Sequence, residues 1–215
     1  MYANVIWDFN GTIIDDVDVG INALNTLLRR FGYAEITDKA YYRSIFGFPI
    51  KDYYARAGFD FNVIDYETLA PLWVDEYLAH EKDAPIISGV LEVMQMLKRA
   101  GIKQYLVSAT EINMLTEQLK CRGLLEMFDG VYGLDNIHAS SKRDVACNVV
   151  SALDGKTVML GDTTHDAECA LSAGADAILI AAGHQSYERL AATGYRTVRT
   201  AKEAAEIILG SKNEF

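Results

Sequence analysis

Three short apolar runs, each ending in a polar group, constrain this 215-residue chain more than any other feature. Ala3 to Trp7 runs into Asp8, Ile102 to Val107 into Ser108, and Thr157 to Leu160 into Gly161-Asp162. Apolar runs of this length, bounded by turn residues, read as buried strands. Between them the pattern is helical. Ile21, Leu24, Leu28 and Phe31 recur at helical spacing before Gly32, and Val90, Val93 and Leu97 do the same before Gly101. Thr110 is placed to cap a helix that stops at Gly123, and Lys142 opens another that reaches about Leu153. Ala177 to Ala181 and Arg196 to Val198 read as further strands, and Thr200 with Glu203 forms a capping box for the last helix. Strands alternating with helices predict an α/β fold: a Rossmann-like, doubly wound parallel sheet covered on both faces.

The stretch from Asp15 to Pro85 breaks that rhythm. Thr37 toward Phe46, Lys51 to Ala57 and Tyr66 to Lys82 are helix-like, and no convincing strand interrupts them. The expected organisation is an α/β core domain of residues 1–14 and 86–215, with a helical cap domain, 15–85, inserted after the first strand. Closure of such a cap excludes water and selects substrate.

Composition narrows the function. With 50% hydrophobic and 23% charged residues and only three prolines, the chain is globular. Thirty acidic residues against twenty basic ones give a net charge of -10, which disfavours nucleic acid and anionic membrane as partners. An anionic ligand then needs a locally positive or metal-neutralised pocket. Cys121, Cys147 and Cys169 form no CxxC pair and are odd in number, so a reducing compartment is expected. The opening MYANVIWDFNGT lacks a basic start followed by an apolar stretch, and no apolar run approaches the roughly 20 residues that span a bilayer. A cytoplasmic monomer or homodimer is the expectation. Tyr41, Tyr42, Tyr53, Tyr54, Tyr66 and Tyr77 crowd the helical stretch and read mainly as packing, while His165, His184 and the cysteines carry no functional expectation.

In an open parallel sheet, ligands bind outside the carboxyl ends of the strands. Asp8, Ser108 and Asp162 stand at such ends, Asp166 follows four residues after Asp162, and Lys142 heads a helix. Carboxylates converging on one point repel one another unless a cation separates them, and hard oxygen donors favour Mg2+. With a serine, a lysine and the backbone N–H groups of Gly11, Thr12 and Ala109, the same point becomes a receptor for a phosphoryl group.

The segments WDFNGT, LVSAT, SSKRD and MLGDTTHD, in that order, resemble the four motifs of the haloacid dehalogenase superfamily, most closely its phosphoglycolate-phosphatase-like branch. The resemblance spans nearly the whole chain. It implies an Mg2+-dependent phosphatase acting on a small phosphorylated metabolite, with Asp8 forming an aspartyl-phosphate. It further implies a metal held by Asp8, the carbonyl of Asn10 and Asp162, with Asp166 ordering metal-bound water or Lys142. Ser108 and Lys142 then hold the phosphoryl oxygens, and Gly47, Phe48 and Lys51 of the insert contact substrate.

One position departs from the pattern. Family phosphatases carry a second aspartate two residues after the nucleophile, as general acid and base, where this chain has Asn10. An amide cannot exchange a proton near neutral pH, a loss typically worth about a hundred- to ten-thousandfold in rate. Three readings stay open: a substrate with a good leaving group, a proton from elsewhere such as Asp15, Asp16 or a cap residue, or a phosphate-binding or regulatory protein without turnover. Beside the phosphatase and the non-catalytic binding protein, a third functional option is phosphonate cleavage through a Schiff base on Lys51.

Overall fold

The computed structural model describes residues 1–134 and 141–210, so Ser140 of the SSKRD segment and the last five residues of the expected core domain lie outside it. Six strands form one parallel sheet: β1 (Asn4–Trp7), β2 (Lys103–Glu111), β3 (Gly130–Leu134), β4 (Thr157–Gly161), β5 (Asp176–Ile180) and β6 (Arg196–Val198). Their order in space is β3-β2-β1-β4-β5-β6, so chain progression reverses between β1 and β4. Crevices for ligands open at such a reversal.

Alternation along the strands sorts the core into two layers, because successive side chains point to opposite faces. Val5, Trp7, Leu106, Leu160 and Ile178 pack on one face with Val93 and Leu97 of α5 (Val90–Arg99) and Ala204 and Ile208 of α10 (Ala201–Ile208). Ile6, Val107, Met159 and Leu179 pack on the other with Val149 of α7 (Lys142–Ser151) and Ala170 of α8 (Thr164–Ala173). Buried polar side chains at the sheet pair with one another. Trp7 donates its indole N–H to Gln104 Oε1 at 3.1 Å, and Gln104 donates in turn to the carbonyl of Met94.

Between β1 and α5 come α1 (Val17–Arg30), α2 (Lys39–Ile45), α3 (Ile50–Ala57) and α4 (Tyr66–His80), which enclose an apolar cluster of their own around Leu24, Leu28, Tyr42, Tyr53 and Leu69. The chain leaves and re-enters the sheet region side by side: Ile14 bridges Ile86, and the Asp15 N–H donates to the carbonyl of Pro85. The helix after β2, α6 (Ile112–Cys121), is capped by Glu111, whose carboxylate accepts from the Asn113 and Met114 N–H groups. Thr110, expected as that cap, still belongs to β2. The helix expected from Thr37 begins at Lys39 as α2, with Asp38 as its cap. The sequence pattern missed β3, a half-buried strand whose GVYGL has two glycines and no clean alternation. The remaining helix, α9 (Tyr187–Ala191), leads into β6.

A buried ion pair ties the helical stretch to the sheet region: Arg122, just past α6, donates to Glu81 Oε2 at 2.7 Å and to the Glu81 carbonyl at 2.6 Å. Removing one partner of such a pair leaves an uncompensated buried charge. Arg122→Ala is expected to cost about 3–5 kcal/mol, read from the urea midpoint. A loss under about 1 kcal/mol would show that water replaces the pair freely.

Candidate functional site

β1 delivers Asp8 and β4 delivers Asp162 on either side of the reversal in strand order. Asp166 sits in the first turn of α8, where a capping box with Thr163 fixes it: its Oδ2 accepts from the Thr163 N–H at 3.0 Å and hydroxyl at 2.7 Å. One oxygen from each of Asp8, Asp162 and Asp166 lies within 4.8 Å of the others, and all three residues are buried. Lys142, the first residue of α7, donates to Asp8 Oδ1 and Asp166 Oδ1, each at 2.5 Å. The Thr12 hydroxyl lies 3.4 Å from Asp8 Oδ2 and 3.2 Å from Asp162 Oδ1.

Three buried carboxylates against one ammonium leave a local excess of two negative charges. Burial pushes the Asp8 carboxyl well above the usual range; Lys142 opposes this, while Asp166 and Asp162 add to it. Asp162 is pushed up as well, by burial against the pull of His184 and with the repulsion of Asp166. Lys142 is held charged: burial disfavours the ammonium, but Asp166 and Asp8 outweigh it. Hard oxygen donors with an excess of two negative charges fit a divalent cation. The tight approach depends on glycine. Gly11 holds a φ of +69°, and a side chain there or at Gly183 would collide with Asp162.

Beside this cluster stands a second one. Asp16 Oδ1 accepts from the Gly11 N–H at 2.8 Å and lies 3.2 Å from His184 Nε2; its Oδ2 accepts from the Asn10 amide at 2.8 Å and the Tyr77 hydroxyl at 2.7 Å. His184 also meets the Tyr42 hydroxyl through Nδ1 at 2.8 Å, donates its backbone N–H to Asp162 Oδ2 at 2.6 Å, and stacks on Phe46. Burial works against the imidazolium, but Asp16, with help from Asp162 and Asp8, lifts the His184 pKa to about 9. The converse holds for Asp16: burial opposes its charge, and His184, Tyr77 and Asn10 bring its pKa down to about 2. His184 and Asp16 are therefore an ion pair at neutral pH.

Asn10 is locked into this network. Its amide nitrogen donates to Asp16 and to the Tyr77 hydroxyl, and its Oδ1 accepts from the Thr110 hydroxyl at 3.3 Å. An aspartate at this position would set two carboxylates against each other.

The expected site residues gather unevenly. Asp8, Asn10, Ser108, Ala109, Lys142 and Asp162 line one cavity of about 490 Å3, which extends to Tyr42, Trp73 and Tyr77 of the inserted helices. Phe48 lines it too, its ring 4.5 Å from that of His165. The N–H groups of Gly11 and Thr12, expected to be free for phosphate, are taken: Gly11 donates to Asp16 and Ile14, and Thr12 to Phe9. Gly47 is buried against Arg189 and, like Lys51, lies outside the cavity lining. Lys51 is exposed, with its ammonium over the rings of Phe61 and Tyr66, so it is not placed for a Schiff base beside Asp8. His184 is the residue that sequence reasoning missed. The signal was its position just past β5, at the same strand-end level as Asp162.

Family comparison agrees with this geometry: the sequence model of the haloacid dehalogenase-like hydrolases matches residues 5–180. The chain belongs to the haloacid dehalogenase-like hydrolases. It is 29% identical over 196 residues to a phosphoglycolate phosphatase of Caulobacter vibrioides, covering 85% of this chain and 80% of that one. It is 25% identical to the pyrophosphatase PpaX of Halalkalibacterium halodurans, over 75% of each chain. A haloacid dehalogenase-like hydrolase from Streptococcus pneumoniae has the same fold, with a TM-score of 0.81 at 19% identity, covering 96% of this chain and 98% of the other.

The lock on Asn10 is testable. Asn10→Asp is expected to lower stability by about 1–3 kcal/mol in urea unfolding, because Asp16 loses a donor and gains a repelling neighbour. The loss should shrink toward acid pH, where protonation of the introduced carboxyl relieves the repulsion. A single variant as stable as the parent would contradict the lock.

Proposed function

We propose that the protein is an Mg2+-dependent phosphatase that transfers a phosphoryl group from a small metabolite to Asp8 and then to water. The observation that carries this reading is the convergence of Asp8, Asp162 and Asp166 with Lys142 at the strand ends, in a chain whose relatives are phosphatases. Asp8, the carbonyl of Asn10 and Asp162 would hold Mg2+, and Asp166 would support them. The bound cation neutralises phosphoryl charge, which is the main demand of a phosphoryl-transfer transition state.

An Asp8 carboxylate oxygen forms the bond to phosphorus, the P–O bond to the leaving group breaks, and its electron pair stays on the leaving oxygen. Water then attacks the aspartyl-phosphate, the Asp8 carboxylate is regenerated, and the attacking water's proton ends on the released phosphate. Lys142, already on Asp8, stabilises the oxyanions that develop. Ser108, buried and held by Thr110, orients the phosphoryl group. The helices of 15–85 act as a cap over the site and contribute the far wall of the cavity.

Asn10 sets the chemical range. With its amide committed to Asp16 and Tyr77, it donates no proton to a leaving group, so the enzyme favours phosphates that leave without one. Acetyl phosphate and p-nitrophenyl phosphate should turn over in Mg2+, with kcat at least a hundredfold above that for simple alkyl phosphates. Chelation of the metal or Asp8→Asn should abolish turnover. Mg2+ binding with no turnover of any phosphate would replace this reading with that of a phosphate-binding protein.

A further inference from the structure

The proposed phosphatase reading leaves open what is attached to the phosphorus, and the cavity beyond Asp8 addresses that. Among the described residues that line it, the only cationic groups are Lys142 and His184. Lys142 is engaged by Asp8 and Asp166, and His184 by Asp16. The other charged lining groups are acidic, including Glu111 at the rim. A second anionic group on the substrate, such as a carboxylate or a further phosphoryl group, would meet no free cation and several carboxylates. Desolvating such an anion without a partner is costly.

The rest of the wall is aromatic. Tyr54, Tyr66, Trp73 and Tyr77 of α3 and α4 line it with Phe46 and Met114, and Trp73 lies nearly parallel to Tyr77 with ring centroids 5.0 Å apart. Walls of this kind bind flat apolar surface by stacking. Three polar atoms of residues in this lining are buried and have no partner: the Tyr53 hydroxyl, the Trp73 indole N–H and Gln118 Oε1. Orphaned buried groups call for an explanation. Here the indole N–H is a donor, the amide oxygen an acceptor and the hydroxyl both, and polar substituents on a bound ring are the partners such a lining calls for.

Asn10 independently points the same way. A phenolic hydroxyl has a pKa near 10, whereas bulk water, close to an aliphatic alcohol in acidity, stands at about 15.7. An aryl oxygen therefore departs as the anion without a proton donor, and solvent protonates it afterwards.

Resting on the phosphatase reading, we propose that the substrate is an aryl phosphate: a phosphate monoester of an uncharged aromatic ring that carries a hydrogen-bonding substituent read by Trp73 and Gln118. Phosphoglycolate and pyrophosphate, the substrates in its relatives' names, carry a second anionic group and are then poor ligands of this chain.

Calorimetry on the full chain in Mg2+ tests this with three non-hydrolysable phosphonates: benzylphosphonate, 4-carbamoylbenzylphosphonate and 3-phosphonopropionate. Both aromatic ligands should bind at least tenfold more tightly than the carboxylate-bearing one, and the carbamoyl compound most tightly. Trp73→Phe, which keeps a ring and removes the N–H, should weaken the carbamoyl compound about fivefold, the worth of one hydrogen bond. If 3-phosphonopropionate equals or exceeds both aromatic ligands, the proposal is overturned. If Trp73→Phe leaves the carbamoyl advantage intact, the assignment to Trp73 is overturned. Acetyl phosphate, whose remainder is too small to probe the cavity, separates the two levels: turnover of it without an aromatic preference sinks the substrate class alone. Its stability in the assay, with the aromatic preference present, sinks the catalytic reading alone.

Discussion

Everything at this site follows from packing three buried carboxylates around one lysine at the floor of a cavity. Asp8, Asp162 and Asp166 are buried together, and Lys142 answers only part of their charge. A fold tolerates such an excess when a cation or a ligand's own counter-charge completes it, since lone buried charges are expensive. The parallel sheet makes the gathering geometrically cheap. Two strands that neighbour each other at the reversal in strand order end side by side, so Asp8 and Asp162 meet although 154 residues separate them in sequence. A capping box and a helix start then bring Asp166 and Lys142 in from the adjoining helices.

The second network explains why Asn10 fits. Asp16 and His184 form a buried ion pair beside the first cluster, and Asn10 bridges the two by donating to Asp16 and Tyr77. Tyr77 belongs to α4 and Tyr42 to α2, so this network also links the inserted helices to the strand ends. Any movement of those helices relative to the sheet must break or carry along these hydrogen bonds. Substrate admission and the polar network around Asn10 are thereby coupled.

Much of this was legible in the sequence, for identifiable reasons. The apolar runs before Asp8, Ser108 and Asp162 are buried on both faces, so they read as continuous hydrophobic stretches and mark strand ends cleanly. The strand Gly130–Leu134 was not legible because it lies at the sheet edge, where half-burial and two glycines erase the pattern. Gly11 and Thr12 illustrate another limit. A tight polar loop after a strand suggests free amides, but whether they are free depends on the acceptors the fold brings to them, and Asp16 takes the one from Gly11. His184 was invisible for a related reason: a lone histidine in a loop shows its role only once Asp16, Tyr42 and Phe46 have folded around it. Lys51 failed in the opposite direction, since helical position alone does not say whether a lysine faces a cavity or the neighbouring rings.

In the proposed reaction Asp8 bonds to phosphorus while Asp162 and Asp166 serve a shared cation. A crystal structure of the protein with Mg2+ and beryllium fluoride, a mimic of a carboxylate-bound phosphoryl group, tests it directly. The expected result is beryllium bonded to an Asp8 oxygen, fluorides facing Lys142 and Ser108, and Mg2+ between Asp8 and Asp162. Beryllium fluoride absent from Asp8 with Mg2+ bound, or Mg2+ bound away from Asp162, would contradict it.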